Sequence, residues 1–174
     1  MVFCMVMPLQ TLPQLETERL RLRPLAPDDA EAFRAMTDEL VITDVIHFLP
    51  TPFRLPDARR LIAGEGDGRD CFWGVWLGHG DSLIGTVGTH LHGADEIEIG
   101  YWFASSAWGR GFGVEAVSAL IQALNAAYPA RRIIAECRPQ NAASWRLLEK
   151  IGIQADGHDG IRPGRRRLVL ERRC

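Results

Sequence analysis

The residues best placed to do chemistry lie in one string, EIEIGYWFASSAWGRGFGVEAV, over residues 96–117. Gly109, Gly111 and Gly113 close a loop after an alternating apolar run and precede a helical pattern. Glycine there lets the main chain come close to a ligand, while the free N–H groups and dipole of a new helix attract an anion such as a pyrophosphate. Arg110 adds a charged donor. The spacing excludes two better-known phosphate loops: the dinucleotide fingerprint needs glycine where Val114 stands, and the P-loop needs Lys with Ser or Thr after its last glycine. Just upstream, Glu96 and Glu98 alternate with Ile97 and Ile99, which puts two carboxylates on one face of a strand.

Two other clusters compete for attention. Gly80-Asp81-Ser82-Leu83 spells the GDSL tetrapeptide of a serine hydrolase family, but that chemistry needs a late Asp-x-x-His, and Asp156-Gly157-His158 has the wrong spacing. Gly-Asp at this point reads as hairpin turn chemistry. His90-x-His92 with Asp95 has the makings of a metal cluster, yet two histidines at strand spacing beside a loop read as solvent-facing, and no metal is expected.

Elements must hold these groups. ERLRLRPL, residues 18–25, alternates arginine with leucine and predicts a half-buried first strand ending at Pro24. Pro27, Asp28 and Asp29 open a helix through about Glu39, their charges suited to its first turn. Residues 40–56 have no clear period and three prolines, a segment suited to one wall of a substrate groove. A short helix over 57–63 ends at Gly64, Gly66 and Gly68. Strands follow over 71–77, 83–90 and 96–103, the first two joined by a hairpin at residues 78–81. A helix over 113–128, a strand over 133–137, a helix over 142–151 and two strands around Arg162-Pro163-Gly164 complete an α/β (α+β) order.

Composition bounds the reading. The chain has 174 residues, 47% of them hydrophobic and 24% charged, which suits one compact domain over 1–174 with a loose N-terminal segment over 1–14. The opening MVFCMVMPLQ lacks a basic region and is too short for a spanning helix, so no membrane partner is expected. A net charge of −2 argues against nucleic acid as a partner. Lys150 is the only lysine among 20 basic residues, a bias read as base composition. Cys4, Cys71, Cys137 and Cys174 lie far apart with no C-x-x-C pair, so neither a zinc knuckle nor a disulfide framework is indicated, and a reducing cytoplasmic location is expected.

Trp108-Gly109-Arg110-Gly111-Phe112-Gly113 resembles the R/Q-x-x-G-x-G/A signature of the GNAT superfamily of N-acetyltransferases, with Trp108 where Arg or Gln is usual. The longer string EIGYWF…AWGRGFGVEA, the opening TERLRLRPLAPDDAEAF and the later NAASWRLLEKIGI resemble the ribosomal-protein N-terminal acetyltransferase (RimJ/RimL) branch, from about Glu16 to Leu170. The resemblance implies a mixed, mostly antiparallel sheet of six to seven strands, splayed in the middle and flanked by about four helices. It implies an acetyl-CoA-dependent enzyme, monomer or homodimer, that acetylates a primary amine such as a protein N-terminus. A non-catalytic acyl-CoA-binding or sensing module is the alternative, and a GDSL-type hydrolase a remote one.

Residue by residue, the resemblance implies that Trp102, Phe103 and Ala104 line the acetyl and pantetheine arm through main-chain hydrogen bonds. The pyrophosphate would rest on Trp108, Gly109, Arg110, Gly111, Phe112, Gly113 and Val114. Asn141 reads equally as a helix N-cap and as a contact to the cofactor arm. Ser144, the candidate acid, resembles the position from which some members of this branch protonate the departing thiolate, and Leu148 occupies the position where many other relatives carry a tyrosine. An ammonium acceptor of pKa about 8 must lose a proton before attack, and Glu98 is the candidate base, with Glu96 on a solvated face. A bulge opening the sheet is expected at Gly100. Arg165, Arg166 and Arg167 are either a solvated strand end or a grip on the 3′-phosphate of CoA.

Overall fold

In the computed structural model, which describes residues 8–64, 66–78 and 80–171, a run of short strands precedes and follows the helices. The strands are β1 (Leu15–Glu16), β2 (Leu20–Pro24), β3 (Asp70–Leu77), β4 (Leu83–His92), β5 (Glu96–Phe103), β6 (Arg132–Cys137), β7 (Ile153–Asp159) and β8 (Arg166–Leu170). The helices are α1 (Ala30–Thr37), α2 (Leu40–Thr43), α3 (Leu55–Ala63), α4 (Phe112–Ala127) and α5 (Ala142–Lys150). The strands form one sheet in the order β1-β2-β3-β4-β5-β6-β8-β7. Its pairs are antiparallel except β5 with β6, which is parallel.

The sheet is therefore mixed and mostly antiparallel, with eight strands and five helices rather than six to seven and about four. The additions are β1, two residues paired Leu15 to Leu22, and α2, one turn inside the stretch without a period. Neither is long enough to carry a periodic signal. Residues 1–7 of the expected loose segment lie outside the described residues. The remainder is held against the fold: Leu9 and Leu12 are buried, and Gln10 Nε2 donates to the Asp70 carbonyl at 2.7 Å. No helix among the described residues is long and apolar enough to cross a membrane.

Alternation along the strands builds two cores. On one face Leu20, Leu22, Trp73, Val75, Val87, Ile97 and Ile99 pack under α4, whose Phe112, Ala116, Val117, Leu120, Ile121 and Leu124 recur at helical spacing. Each fully buried large side chain there contributes about 1.5–3 kcal/mol. On the other face Phe72, Trp76 and Trp102 pack with Phe33 and Met36 of α1, Ile42 of α2 and Ala58 of α3. Along β5, odd-numbered residues face α4 and even-numbered ones face the α1–α3 side, so Glu98, Gly100 and Trp102 share the second face.

The feature that makes a site is a fork. Parallel pairing of β5 with β6 runs only from Glu96 with Arg132 to Glu98 with Ile134, after which the two strands part while β5 stays paired to β4 and β6 to β8. The bulge expected at Gly100 is absent: the β4–β5 register is unbroken there, Gly88 opposite Gly100. Splaying needs only the loss of the β6 partner, which an even ladder on the β4 side permits.

Candidate functional site

A slot of about 550 Å³ opens at the fork, bounded by the end of β5, the glycine loop, the start of α4, one side of α5 and the apolar edge of α2. Of the residues expected there, Trp102, Phe103, Trp108, Gly109, Gly111, Phe112, Gly113, Val114, Asn141 and Ser144 line it. The loop is built for close approach. Gly109 and Gly111 take left-handed φ of 70° and 80°, where an L side chain is strained. Gly111 caps α4 with no side-chain hydrogen bond, so the first-turn N–H groups, which have no intrahelical acceptor, remain available to an anion. A Cβ on Gly113 would lie 2.7 Å from Leu147 Cδ1 and 3.5 Å from Phe103, so any side chain there would push the Leu147 side chain aside within the slot wall.

Two expected residues are not part of this lining. Ala104 donates its N–H to the Ile84 carbonyl at 3.0 Å, so even-numbered residues of this stretch turn their main-chain groups to β4. By alternation Tyr101 and Phe103 turn theirs to the open side, and the Phe103 carbonyl accepts from Trp108 Nε1 at 2.8 Å. The main-chain groups on the open side of β5 are thus those of Tyr101 and Phe103, while those of Trp102 and Ala104 turn to β4. Arg110 folds its guanidinium 4.8 Å over the Phe112 ring. Its carbonyl accepts from Arg19 Nη1 at 2.9 Å, and Arg19 is paired with Glu115 at 2.6 Å. Burial opposes the Glu115 charge, but hydrogen bonds from Thr17 and Arg19 overcome it and hold that carboxyl below the ordinary carboxylate range. The ERLRLRPL strand thus braces the glycine loop, a role its alternation alone does not signal.

Beside the slot, on the α1–α3 face of the sheet, lies a smaller cavity of about 100 Å³. The two share Val45, Ile46, Tyr101, Trp102, Asn141 and Ser144 in their walls. Gly100 faces this cavity, and a Cβ there would meet nothing within 4 Å. Glu98 lies in its wall, only 5% exposed, with one oxygen 2.5 Å from Arg162 Nη1 and the other 2.9 Å from His92 Nε2. Arg162 also reaches Glu136 at 3.0 Å. Burial works to lower the Arg162 pKa, but the two carboxylates outweigh it and raise the guanidinium above its ordinary value. Glu96 is paired with Arg132 at 2.7 Å and with Arg167, at the rim rather than on a solvated face.

Three residues carried no signal in the sequence or a misread one. His90 and His92 are part-buried, with side chains 25% and 34% exposed, and each is paired with a carboxylate. His92 holds Glu98, and His90 Nδ1 lies 2.7 Å from Asp70, whose carboxyl the His90 hydrogen bond holds below its ordinary range. The His90 ring folds back over Gly88, whose added Cβ would lie 2.9 Å from Nε2. Tyr101 bridges the mouth of the fork, its hydroxyl 2.9 Å from Ser144 Oγ and 3.2 Å from the Ser144 carbonyl. Burial pushes the Tyr101 phenol above its ordinary value against the pull of that hydrogen bond. Leu148 is buried in the core, so the phenol reaches this spot from β5 rather than α5. Asn141 accepts from the Ser144 N–H at 3.1 Å, capping α5, and lines both spaces as well.

The rival clusters dissolve. Ser82 lines neither space and Asp81 is fully exposed at the β3–β4 turn, of which His79 lies outside the described residues. Of the arginine run, Arg166 pairs with Asp159 and Arg167 with Asp156 and Glu96, whereas Arg165 enters the wall of the small cavity, away from the glycine loop.

Comparison with known proteins shows the family and the fold. The acetyltransferase (GNAT) domain family model matches residues 19–154. An N-acetyltransferase called p20 from Bacillus licheniformis is 31% identical over 150 residues, covering 82% of this chain and 83% of that protein. A crystal structure of a GNAT-family acetyltransferase from Bacillus anthracis superposes with a TM-score of 0.76 at 26% identity, over 91% of this chain and 98% of the other. The ribosomal L7/L12 α-N-protein acetyltransferase RimL, in complex with coenzyme A, has the same fold, with a TM-score of 0.75 at 16% identity over 90% and 97% of the two chains.

Proposed function

The chain belongs to the GNAT acetyltransferase family and is an acetyl-CoA-dependent N-acetyltransferase; on that premise we propose how its single domain divides the work. The slot takes acetyl-CoA. Its pyrophosphate rests on the uncapped N–H groups of α4 and on the loop at Gly109 and Gly111. The pantetheine arm runs along the Tyr101 and Phe103 main chain toward the fork. A primary amine enters the small cavity over Gly100, where a side chain would otherwise stand in its way. The observation that carries this reading is the shared wall at Tyr101, Trp102, Asn141 and Ser144, the one boundary across which donor and acceptor meet. The RimL likeness supports an α-amine as the acceptor.

In the reaction the amine nitrogen bonds to the thioester carbonyl carbon, the carbonyl oxygen takes the negative charge, and collapse breaks the carbon–sulfur bond. An acceptor that arrives as an ammonium sheds one proton before attack and another, to solvent, as the carbon–nitrogen bond forms, while the departing thiolate gains one. Ser144 Oγ donates to the thiolate and is reprotonated by the Tyr101 hydroxyl hydrogen-bonded behind it, which regains its proton from solvent. Glu98 receives the first through a water: it is one of two carboxylates in the cavity wall and shares the Gly100 face of β5, and His92 and Arg162 fix its position. Both Glu98 oxygens are already engaged, one by Arg162 and the other by His92. That observation favours a second reading in which His90 Nε2 is the acceptor, its ring oriented through Nδ1 by Asp70. The test is thiol release from acetyl-CoA with a panel of amines and N-terminal peptides, products identified by mass. Acetylated amine with stoichiometric CoA is the expected result; CoA binding without turnover on any amine would make the chain a binding module.

A further inference from the structure

The small cavity has an imbalance of charge that bears on what enters it. Two carboxylates and three guanidiniums lie in its wall: Glu98, Glu136, Arg138, Arg162 and Arg165. Arg162 bridges both carboxylates, so neither is free to receive a second ammonium. Glu136 is further committed to the Ile161 N–H at 2.5 Å. Arg138 and Arg165, by contrast, have no carboxylate within 4.0 Å among the described residues. Arg165 makes only a long contact to the Glu136 carbonyl at 3.4 Å and one to His47 Nδ1 at 3.2 Å. Part-buried, it is held below its ordinary pKa by burial and then by the like charges of Arg162 and Arg138. The His47 imidazole is lowered by burial and by the same three arginines, so their field reaches across the cavity mouth.

We infer that the acceptor amine carries a carboxylate, held by Arg165 with Arg138 at the outer end of the cavity while the amine lies over Gly100. This rests on the acetyl-transfer reading above and names the substrate class for the same site. A guanidinium offers a carboxylate two parallel N–H donors, and a cation short of a partner in a part-buried wall gains most from one. The same positive field disfavours an ammonium, which eases loss of the amine proton and discriminates against polyamines. There is room for a longer acceptor, because Arg162 and Arg165 also line a more open depression with Pro139, Gln140 and Asp159. The carboxylate therefore belongs either to a free amino acid or to an acidic residue near a peptide N-terminus.

Initial rates with acetyl-CoA separate the cases, using aspartate against its diamide, a peptide beginning with aspartate against one beginning with asparagine, and spermidine. We expect kcat/KM for the acid to exceed that for its amide by about tenfold or more, the scale of one charge-assisted contact, in whichever arm the natural acceptor resembles. Arg165→Gln leaves no carboxylate unpaired, so it folds, and it should remove most of that preference by raising the acceptor KM while the acetyl-CoA KM stays put. Succinate, which has the carboxylate without the amine, should compete with the acceptor in the wild type and lose potency in R165Q. Equal rates for acid and amide, a best rate with spermidine, or a preference that survives R165Q overturns the assignment and leaves the acetyltransferase reading standing. Failure to acetylate every amine overturns that reading and this one with it.

Discussion

The slot and the small cavity share a wall but are made differently. The glycine-loop end of the slot offers main chain: left-handed glycines, uncapped N–H groups at α4 and the turned-out peptide groups of β5, all within residues 101–114. The cavity is made of side chains from separate places in the chain, His47 before α3, His90 on β4, Glu98 on β5, Glu136 and Arg138 at the end of β6, and Arg162 and Arg165 before β8. A main-chain site tolerates exchange of most side chains and fails when a Cβ intrudes. A side-chain site is retuned by single exchanges.

The largest expected effect falls on the cavity. Glu98→Gln keeps size and one hydrogen-bond acceptor but removes the carboxylate, and should cut kcat near neutral pH by about 10²- to 10⁴-fold with acetyl-CoA affinity unchanged. The loss should shrink as pH rises toward the amine pKa, since solvent then deprotonates the acceptor. Glu96→Gln should change little. Should His90→Gln carry the loss and E98Q not, the proton goes to the imidazole. A matching fall in acetyl-CoA affinity in E98Q would erase the division between the two regions.

Next in size is Gly113→Val on the slot side. Its Cβ would be driven against Leu147 and Phe103, so acetyl-CoA affinity should drop by about tenfold or more, roughly 1.4 kcal/mol, while the acceptor KM is preserved. Equilibrium binding of CoA to a folded variant measures it, and unchanged affinity would remove the central claim about the slot.

The same contrast explains what the sequence made legible. Strands β2 to β6 and helices α4 and α5 announce themselves by period, and the glycine spacing lies in one contiguous string, so the fold and the glycine-loop end of the slot follow from local pattern. The cavity wall does not, because His90 and His92 look alike in sequence to any pair on a solvated strand. Only the cross-strand register, His90 opposite Glu98 and His92 opposite Glu96, brings them to the cavity. Arg162 is one of three residues in a turn, and nothing local marks it as the partner of Glu98, 64 positions away. Tyr101 was hidden by its neighbours, since an aromatic beside Trp102 and Phe103 reads as core until α5 brings Ser144 to its hydroxyl.

A smaller effect, on stability, tests whether the cavity's histidine is held as described. Asp70 has its folded pKa depressed by His90, so the pair adds stability above the ordinary aspartate pKa of about 3.9 and loses it as pH falls through the lower folded value. Asp70→Asn should therefore cost about 1 kcal/mol, or roughly 2–4 °C in Tm, at neutral pH. The gap between variant and wild type should close in acid. A gap that is constant with pH would mean that the carboxylate charge is not what orients the ring.

The smallest effect is expected at Arg110, and its smallness matters to the comparison. By sequence it is the obvious charged donor of the loop, yet its guanidinium lies over Phe112 and its contribution to the loop is the carbonyl that Arg19 holds. Because Arg110→Ala keeps that carbonyl and every N–H of the turn, acetyl-CoA affinity should fall by less than about threefold, under roughly 0.7 kcal/mol. Arg19→Ala should cost more than Arg110→Ala even though Arg19 lies outside the motif, since it frees the loop carbonyl and leaves Glu115 without its guanidinium partner. Competition binding of CoA to both variants ranks them. If Arg110→Ala proves worse than Gly113→Val, the phosphates are gripped by a side chain, and the slot is built on the same plan as the cavity.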